Sequence, residues 1–521
     1  MEYRSRDRGD EGGYRGSGRG GRWQDRPDRQ RDSYSQRLGD EDEYRLRHHD
    51  SERDYQERYE ETLGGLRALN LDESGRHNRV LAASGVEISS RTRQGEGIRR
   101  QAPKIQFASN QEARINPDAR NYDGRDLRVS YPGQIDNIVC IYTDARDRQI
   151  IEQAVEKLRT MAQKMGIQIG TWDIGQRAYI SEELFDLMEE LKSKQKATKK
   201  RYLLMHFDRK GSNSHAQLKL LERQHSIVTQ QITIETASDL PRKPQIVQSI
   251  LLKLNCKIGG LNYKAIPEFY ILNRRVNNKQ VMFVGYDMAH PGPQSRDDVA
   301  RKIPPGSPSI VGFSFNGAPN PEAFIGDFHY QTPKQEQVHE EMLHQRMKWM
   351  LKLFKKNRGD LPEVIFITRN DISESQYEMA MNMELPSLRD ACTEFGEEND
   401  KPGYKPKFIL IITAKKGKPT YHQILVNDLE LSMGDIQAIM VSLCFTHQIA
   451  NSPVSIPEPI YQAKEWAKRG KQVWKAYKEI YKLLPHKKEK GDYSDFPIDF
   501  EFMTKRLSYW NSPLQMYRVN A

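Results

Sequence analysis

Residues 281–291 read VMFVGYDMAHP, an apolar run that carries one carboxylate, Asp287, to its far end just before the turn Pro291-Gly292-Pro293. A run this short and this apolar predicts a buried strand. A lone acid at a strand end is by itself a turn former. It becomes a metal ligand only where other acids converge on it, because hard divalent cations take several oxygen ligands. Two later stretches are placed to supply partners. Residues 364–370, VIFITRN, form a second apolar strand pattern ending in polar residues, and Gln335-Glu336 open a helical pattern running to about 356.

Together with residues 455–461, SIPEPIY, these stretches resemble in order and spacing the PIWI domain of the Argonaute family, a ribonuclease H-like fold. The resemblance implies a slicing centre in which Asp, Glu, Asp and His hold two magnesium ions that activate water against a target phosphate. Asp287 matches the first Asp and Glu336 the Glu. The third position falls on Asn370: the family reads Arg-Asp-Gly-Val-Ser-Glu where this chain reads Arg369-Asn370-Asp371-Ile372-Ser373-Glu374. The fourth falls on Lys464, because the segment Ser455 to Lys464 ends in Ala463-Lys464 where the family ends in Ala-His. An ammonium cannot ligate magnesium and repels it, by about 4 kcal/mol per unit charge pair at ~4 Å and an effective dielectric of ~20. Asp287, Glu336, Asn370 and Lys464 therefore read as remnants of a catalytic set. Asp287 is the only retained core Asp, no functional metal is expected, and slicing is not expected. An active endonuclease that recruits Asp371 or Glu374 stays open as an alternative.

Regular patterning begins at residue 135. A strand at 137–142 precedes a helix at 149–165, whose Ile151, Val155, Leu158, Ala162 and Met165 share one face; a charged helix, a strand at 202–207 and a helix at 244–256 follow. Such alternation predicts a doubly wound α/β domain. Lys253 and Lys257 stand one turn apart, and His215 and Lys219 repeat that spacing. Lysines so spaced are by themselves an ordinary solvated helix face. In order, however, His215, Lys219, Gln230, Lys253 and Lys257 are similar to the aromatic, Lys, Gln, Lys, Lys series with which Argonaute MID domains bind the 5′ phosphate of a guide RNA. Arg469 matches a family arginine that reaches the same phosphate. Several converging cations suit a terminal phosphate, which carries more charge than an internal one. The family's aromatic is Tyr; His215 is similar to the worm-specific branch and, when protonated, would add charge towards the phosphate.

The resemblance thus implies an α/β chain: a Rossmann-like MID domain at 135–266, then a ribonuclease H-like PIWI domain at 267–521, internally shortened near 415–419. Residues 62–134 resemble the linker that precedes MID, and neither an N nor a PAZ domain is expected upstream. Residues 1–61 form an Arg/Gly/Asp-rich segment expected to be a disordered tail, since residues 1–60 hold no Val, Ile, Phe, Ala or Lys. The formal net charge of +10 points to a polyanionic partner. With 14 Arg against 16 acids in residues 1–60, the excess sits in the remainder, 67 basic against 55 acidic. Four scattered cysteines read as reduced thiols, and no apolar run approaches the ~18 residues of a membrane helix. The implied function is small-RNA-guided silencing without cleavage, with guide RNA, complementary target RNA and glycine-tryptophan-rich proteins as partners and no membrane. No cofactor is required, Mg2+ being admissible at the 5′-phosphate pocket. The implied location is cytoplasmic, ribonucleoprotein granules included, with the nucleus left open. The alternative from another class is a shortened isoform that holds no guide stably and competes for partners.

Overall fold

The computed structural model describes residues 57–521 apart from 58, 72–77, 86–87, 89–99, 117–120, 177–180, 213, 267–279, 295, 297–305, 416–419 and 483–497. The expected tail, but for its last few residues, lies outside the described residues. So does the boundary placed at 267, and of the shortening placed at 415–419 only Lys415 is described. The chain divides into two compact units, Met1–Ile98 and Arg99–Ala521. In the first, a helix over 59–68 is followed by the helix Arg79–Ser84, whose first amides, of Val80 and Leu81, donate to the Asn78 side chain at 3.0 and 3.2 Å.

Among the described residues the second unit holds two large sheets, besides two two-stranded pairings, Lys104–Gln106 with Lys264–Ile266 and Arg114–Ile115 with Tyr122–Asp123. The first large sheet has four parallel strands, β1 (Gln134–Tyr142), β2 (Gln168–Gln176), β3 (Tyr202–Asp208) and β4 (Val228–Thr233), in the order β2-β1-β3-β4. Helix α1 (Arg148–Met165) buries the predicted face, with Ala154 added, and stops at Gly166, whose φ of 79° lets the chain turn off the helix. Helices α2 (Ser181–Thr198), α3 (Ser214–His225) and α4 (Pro244–Lys257) complete this layer. The sequence pattern misses β2 and β4. Both are polar: β2 is a largely exposed edge strand, QIGTWDIGQ, and β4 reads VTQQIT.

The second sheet has six strands, β5 (Val281–Ala289), β6 (Ser309–Phe315), β7 (Ile325–Gln331), β8 (Val364–Asn370), β9 (Lys407–Lys415) and β10 (Thr420–Asn427), in the order β7-β6-β5-β8-β9-β10. The strand patterns at 281–286, 309–315 and 324–330 predict an antiparallel meander, and β5-β6-β7 form one; β8 runs parallel to both β5 and β9. One face packs on α5 (Glu340–Arg358) and α6 (Leu385–Glu397) through Met282, Val284, Tyr286, Met347 and Phe354. The other is covered by α7 (Met433–Cys444), which packs on Phe366, Ile409 and Ile411, and by α8 (Glu458–Tyr481). A further helix, α9 (Phe500–Leu507), lies beyond α8 in the chain. One expectation is corrected: the helix assigned from 336 begins at Glu340, so Glu336 sits in the loop before it.

Helix α8 comes unusually close to its sheet because the sheet has no side chains there. A Cβ on Gly312 would lie 2.0 Å from the Ala463 carbonyl oxygen, one on Gly285 2.3 Å from the Pro459 carbonyl carbon, and one on Gly326 2.4 Å from the Trp466 indole nitrogen. Gly312 pairs directly with Asp287 across β6 and β5, so the same approach that seats Ala463 brings its neighbour Lys464 towards Asp287. Gly312→Ala is therefore expected to cost at least about 1–3 kcal/mol in denaturant unfolding, the usual price of overpacking. Gly175→Ala, where an added Cβ meets nothing within 4 Å, should shift stability by no more than about 0.5 kcal/mol. Equal effects would remove the glycine floor as the constraint on α8.

Candidate nucleic-acid interface

The predicted phosphate residues come from four elements, and the structure brings most of them into one buried network. Lys219, one turn after His215 on α3, is 1% exposed; its ammonium donates to the Glu222 carboxylate at 3.1 Å, the Thr229 carbonyl at 3.0 Å and the Thr229 hydroxyl at 2.6 Å. Lys257, at the end of α4, donates to the same Thr229 carbonyl at 3.2 Å and to Gln230 Oε1 at 2.8 Å. Arg469 arrives from α8 and donates to Glu222 Oε1 at 2.8 Å and to the Val519 carbonyl at 3.2 Å. Tyr509 places its hydroxyl 2.9 Å from Glu222 Oε1. Lys253 lies one turn before Lys257, half-buried, and among the described residues its ammonium has no hydrogen-bond or ion-pair partner.

Three buried cations thus surround one buried carboxylate, two of them bonded to it and Lys257 acting on it through its charge. Burial alone would raise the Glu222 carboxyl, but Lys219, Arg469 and Lys257, with the Thr229 bond, outweigh it and hold it at about 2. Burial, reinforced by Arg469 and opposed by Glu222, pushes the Lys219 ammonium down to about 8; burial and then Lys219 push Lys257 well below its usual range. The network is short of negative charge, and an incoming anion would relieve it. His215 does not contribute as expected. Its ring donates from Nδ1 to Gln231 Oε1, 2.7 Å away, and burial together with Lys219 and Arg469 pushes it down to about 4, so it is uncharged at neutral pH. Sequence reasoning missed Glu222, Thr229 and Tyr509. Glu222 stands three residues after Lys219, a spacing that reads as an ordinary exposed helical ion pair.

The second cluster surrounds Asp287, which is 7% exposed on the α8-facing side of β5. Asn370, abreast of it on β8, donates its amide to Asp287 Oδ1 at 2.6 Å, while Asn370 Oδ1 is buried without a hydrogen-bond partner. Burial raises the Asp287 carboxyl above the usual carboxylate range, against the Asn370 bond and the charge of half-buried Lys464. Glu336 turns outward and pairs with His290 Nε2 at 3.3 Å. Asp371 is exposed, in left-handed backbone at φ 51°, its amide bound to the Thr413 carbonyl; Glu374 is exposed on the next turn. A divalent ion takes several oxygen ligands, and this cluster offers one buried carboxylate, one amide and an ammonium. Among the described residues, no group of three His, Cys, Asp or Glu is placed to hold a metal ion. Beneath it, an unpredicted buried pair, Arg369 with Glu384 at 3.4 Å, is completed by the Tyr286 hydroxyl and the Val338 amide; a π-helical turn, Ala380–Glu384, presents the Glu384 carboxylate.

The family model for the Piwi domain matches residues 203–419 and 416–475, more than half of the chain. This chain belongs to the Piwi-domain family. Among its relatives is the Argonaute protein wago-1 of Caenorhabditis elegans, 26% identical over 391 residues, which are 66% of this chain and 39% of that protein. Another is the Nuclear RNAi defective-3 protein of the same worm, 25% identical, covering 52% of this chain and 31% of its own length. The Piwi-domain protein described here therefore spans well under half of these relatives. Two solved structures carry its fold. One is Kluyveromyces polysporus Argonaute with a guide RNA, at TM-score 0.65 and 15% identity, covering 81% of this chain and 56% of that one. The other is the MID-PIWI portion of N. crassa QDE-2, at TM-score 0.53 and 20% identity, covering 76% and 100%. The likeness establishes a Rossmann-like MID layer followed by a ribonuclease H-like PIWI layer. No helix among the described residues is long and apolar enough to cross a membrane.

Glu222→Gln is expected to destabilise the Piwi-domain protein by about 3–5 kcal/mol at neutral pH, since it strands three buried cations. The sign with pH is fixed by the lowered carboxyl: the Glu222 contribution is fully present above its unfolded value near 4.5 and is lost as pH falls towards 2. Lys219 contributes a penalty and not a gain, but with the same slope: the unfolded chain binds its proton more tightly between about 8 and 10.5, so the penalty is relieved as pH rises through that window. Thermal melts of wild type and Glu222→Gln from pH 2 to 7 check this; a constant difference across that range would refute the assignment.

Proposed function

We propose that the protein holds the 5′-phosphate end of a small guide RNA in the Lys219–Lys257–Arg469 network and pairs that guide with complementary RNA without cutting it, in RNA-mediated silencing. The observation that carries the reading is the gathering of three buried cations around one carboxylate, Lys219 and Arg469 bonded to Glu222 and Lys257 joined to Lys219 through the Thr229 carbonyl, with Gln230 oriented by Lys257. A terminal phosphate supplies the missing negative charge and more acceptors than an internal phosphodiester. Lys253, ungripped at the end of α4, adds a fourth cation without belonging to the folding network. The absence of cleavage is argued from the second cluster. Asn370 spends its amide on Asp287, Lys464 brings a positive charge where a ligand is required, and Asp371 and Glu374 face solvent instead of replacing the lost acids. Magnesium at the 5′-phosphate pocket, glycine-tryptophan-rich partners and a cytoplasmic, granule-associated location come from the resemblance alone.

Sequencing of RNA that co-purifies with the protein should return one short length class with a common 5′ group; heterogeneous RNA or none favours the shortened interaction protein. In filter binding, Lys253→Gln is expected to weaken 5′-phosphorylated RNA by about 1.5–3 kcal/mol, the loss of a charged hydrogen bond. It should leave 5′-hydroxyl RNA and the melting temperature nearly unchanged, and equal losses for both RNAs would reduce Lys253 to a general backbone contact. Guide-loaded protein incubated in magnesium with a perfectly matched target should leave it whole; cutting at a single phosphodiester would overturn the non-cleaving half of the reading.

A further inference from the structure

We infer that Lys464 converts the Asp287 cluster into a metal-independent seat for one phosphodiester of the RNA paired to the guide, its ammonium standing where a divalent ion would bridge carboxylate and phosphate. The inference rests on the function proposed above and names what its second cluster binds. Lys464 is fixed at its backbone, because Ala463 is fully buried and its carbonyl lies over Gly312, directly opposite Asp287. Its side chain is half-buried, and no carboxylate oxygen among the described residues lies within ion-pair distance of its ammonium, although its charge is felt at Asp287. An ammonium has three donors. Asn370 Oδ1, buried beside Asp287 and without a partner, is an acceptor in need of one, which leaves the others for oxygens arriving from solvent. Asp287 attracts the cation through its charge without an ion-pair contact, so the ammonium keeps its donors for the ligand on its exposed side.

The surroundings favour a sugar–phosphate backbone over a small anion. Along the outer face of α8, Lys464, Lys468, Lys471, Lys475 and Lys478 recur at helical spacing over about 21 Å. Lys468 pairs with Glu465 and Lys475 with Glu479; among the described residues Lys471 and Lys478 have no acidic partner. The row of cations begins at Asp287 and continues along the helix, as successive phosphates would. Near this cluster Glu336 is held by His290 and Glu465 by Lys468.

The test uses the full chain loaded with a guide and a complementary RNA carrying a neutral methylphosphonate at one linkage at a time. Wild type should bind the target in EDTA within about twofold of its affinity in magnesium, and one linkage should stand out, its neutralisation costing about tenfold, the scale of one charged hydrogen bond. Lys464→Met should lose a similar factor on the unmodified target and become indifferent to that linkage, while Lys464→Arg should keep both affinity and sensitivity, a double-mutant cycle across protein and RNA. Lys464→Met binding as tightly as wild type, a sensitivity spread evenly over all linkages, or collapse of wild-type binding in EDTA would each overturn the inference. If no guide loads, the proposed function fails separately. Lys464→Met and wild type are then compared on unguided single-stranded RNA in EDTA, where weaker binding by the variant supports the seat and equal binding overturns it.

Discussion

The approach of α8 to the glycine floor of β5, β6 and β7 is the constraint on which the rest of the second unit depends. Side chains at Gly285, Gly312 and Gly326 would collide with the backbone or the indole of that helix, so the helix axis is set by backbone contact and not by adjustable rotamers. From this one placement Lys464 reaches towards Asp287, and Arg469, five residues on, reaches the opposite way to Glu222 on α3. The two candidate sites are therefore ends of a single rigid lever, and a displacement of the helix would be felt at both.

The two sites solve opposite electrostatic problems. Around Glu222 the chain buries more positive than negative charge, accepting depressed lysines in the empty state. Around Asp287 it buries one carboxylate against an amide and leaves the cation half outside. The first arrangement gains most from a dense anion that enters deeply, the second from a single charge presented at the surface. Both follow from which partners are buried with the ionised group, not from the net charge of the chain.

Much of this was legible in the sequence where one physical signal dominated. Apolar runs placed all six strands of the larger sheet to within a few residues, and β6 exactly, because most of those strands are covered on both faces. The polar strands β2 and β4 were invisible to the same signal, and β4 carries Thr229 and Gln230, whose backbone and side chain organise the pocket. Asn370 and Lys464 were recognised by position along the chain, and the structure adds that the Asn370 amide is spent on Asp287. Glu336 was placed on a helix because its neighbours continue the pattern, yet the helix begins four residues later, and the loop before it is tied by the Val338 amide to Glu384, a contact 46 residues away that no local pattern encodes. His215, which adds charge only when protonated, is held neutral for a related reason: burial first, and then its neighbours in space, Lys219 and Arg469, push its ring down.

The pocket around Glu222 draws its last two contacts from Tyr509 and the Val519 carbonyl, which lie 287 and 297 residues downstream of it. During synthesis, the MID layer emerges from the ribosome long before these residues do, with Lys219 and Lys257 already present but Arg469 unheld at one of its guanidinium nitrogens. A nascent chain therefore lacks the finished cation network until residue 519 has cleared the exit tunnel. Completion of this network is thus timed by the order in which the ribosome delivers its parts.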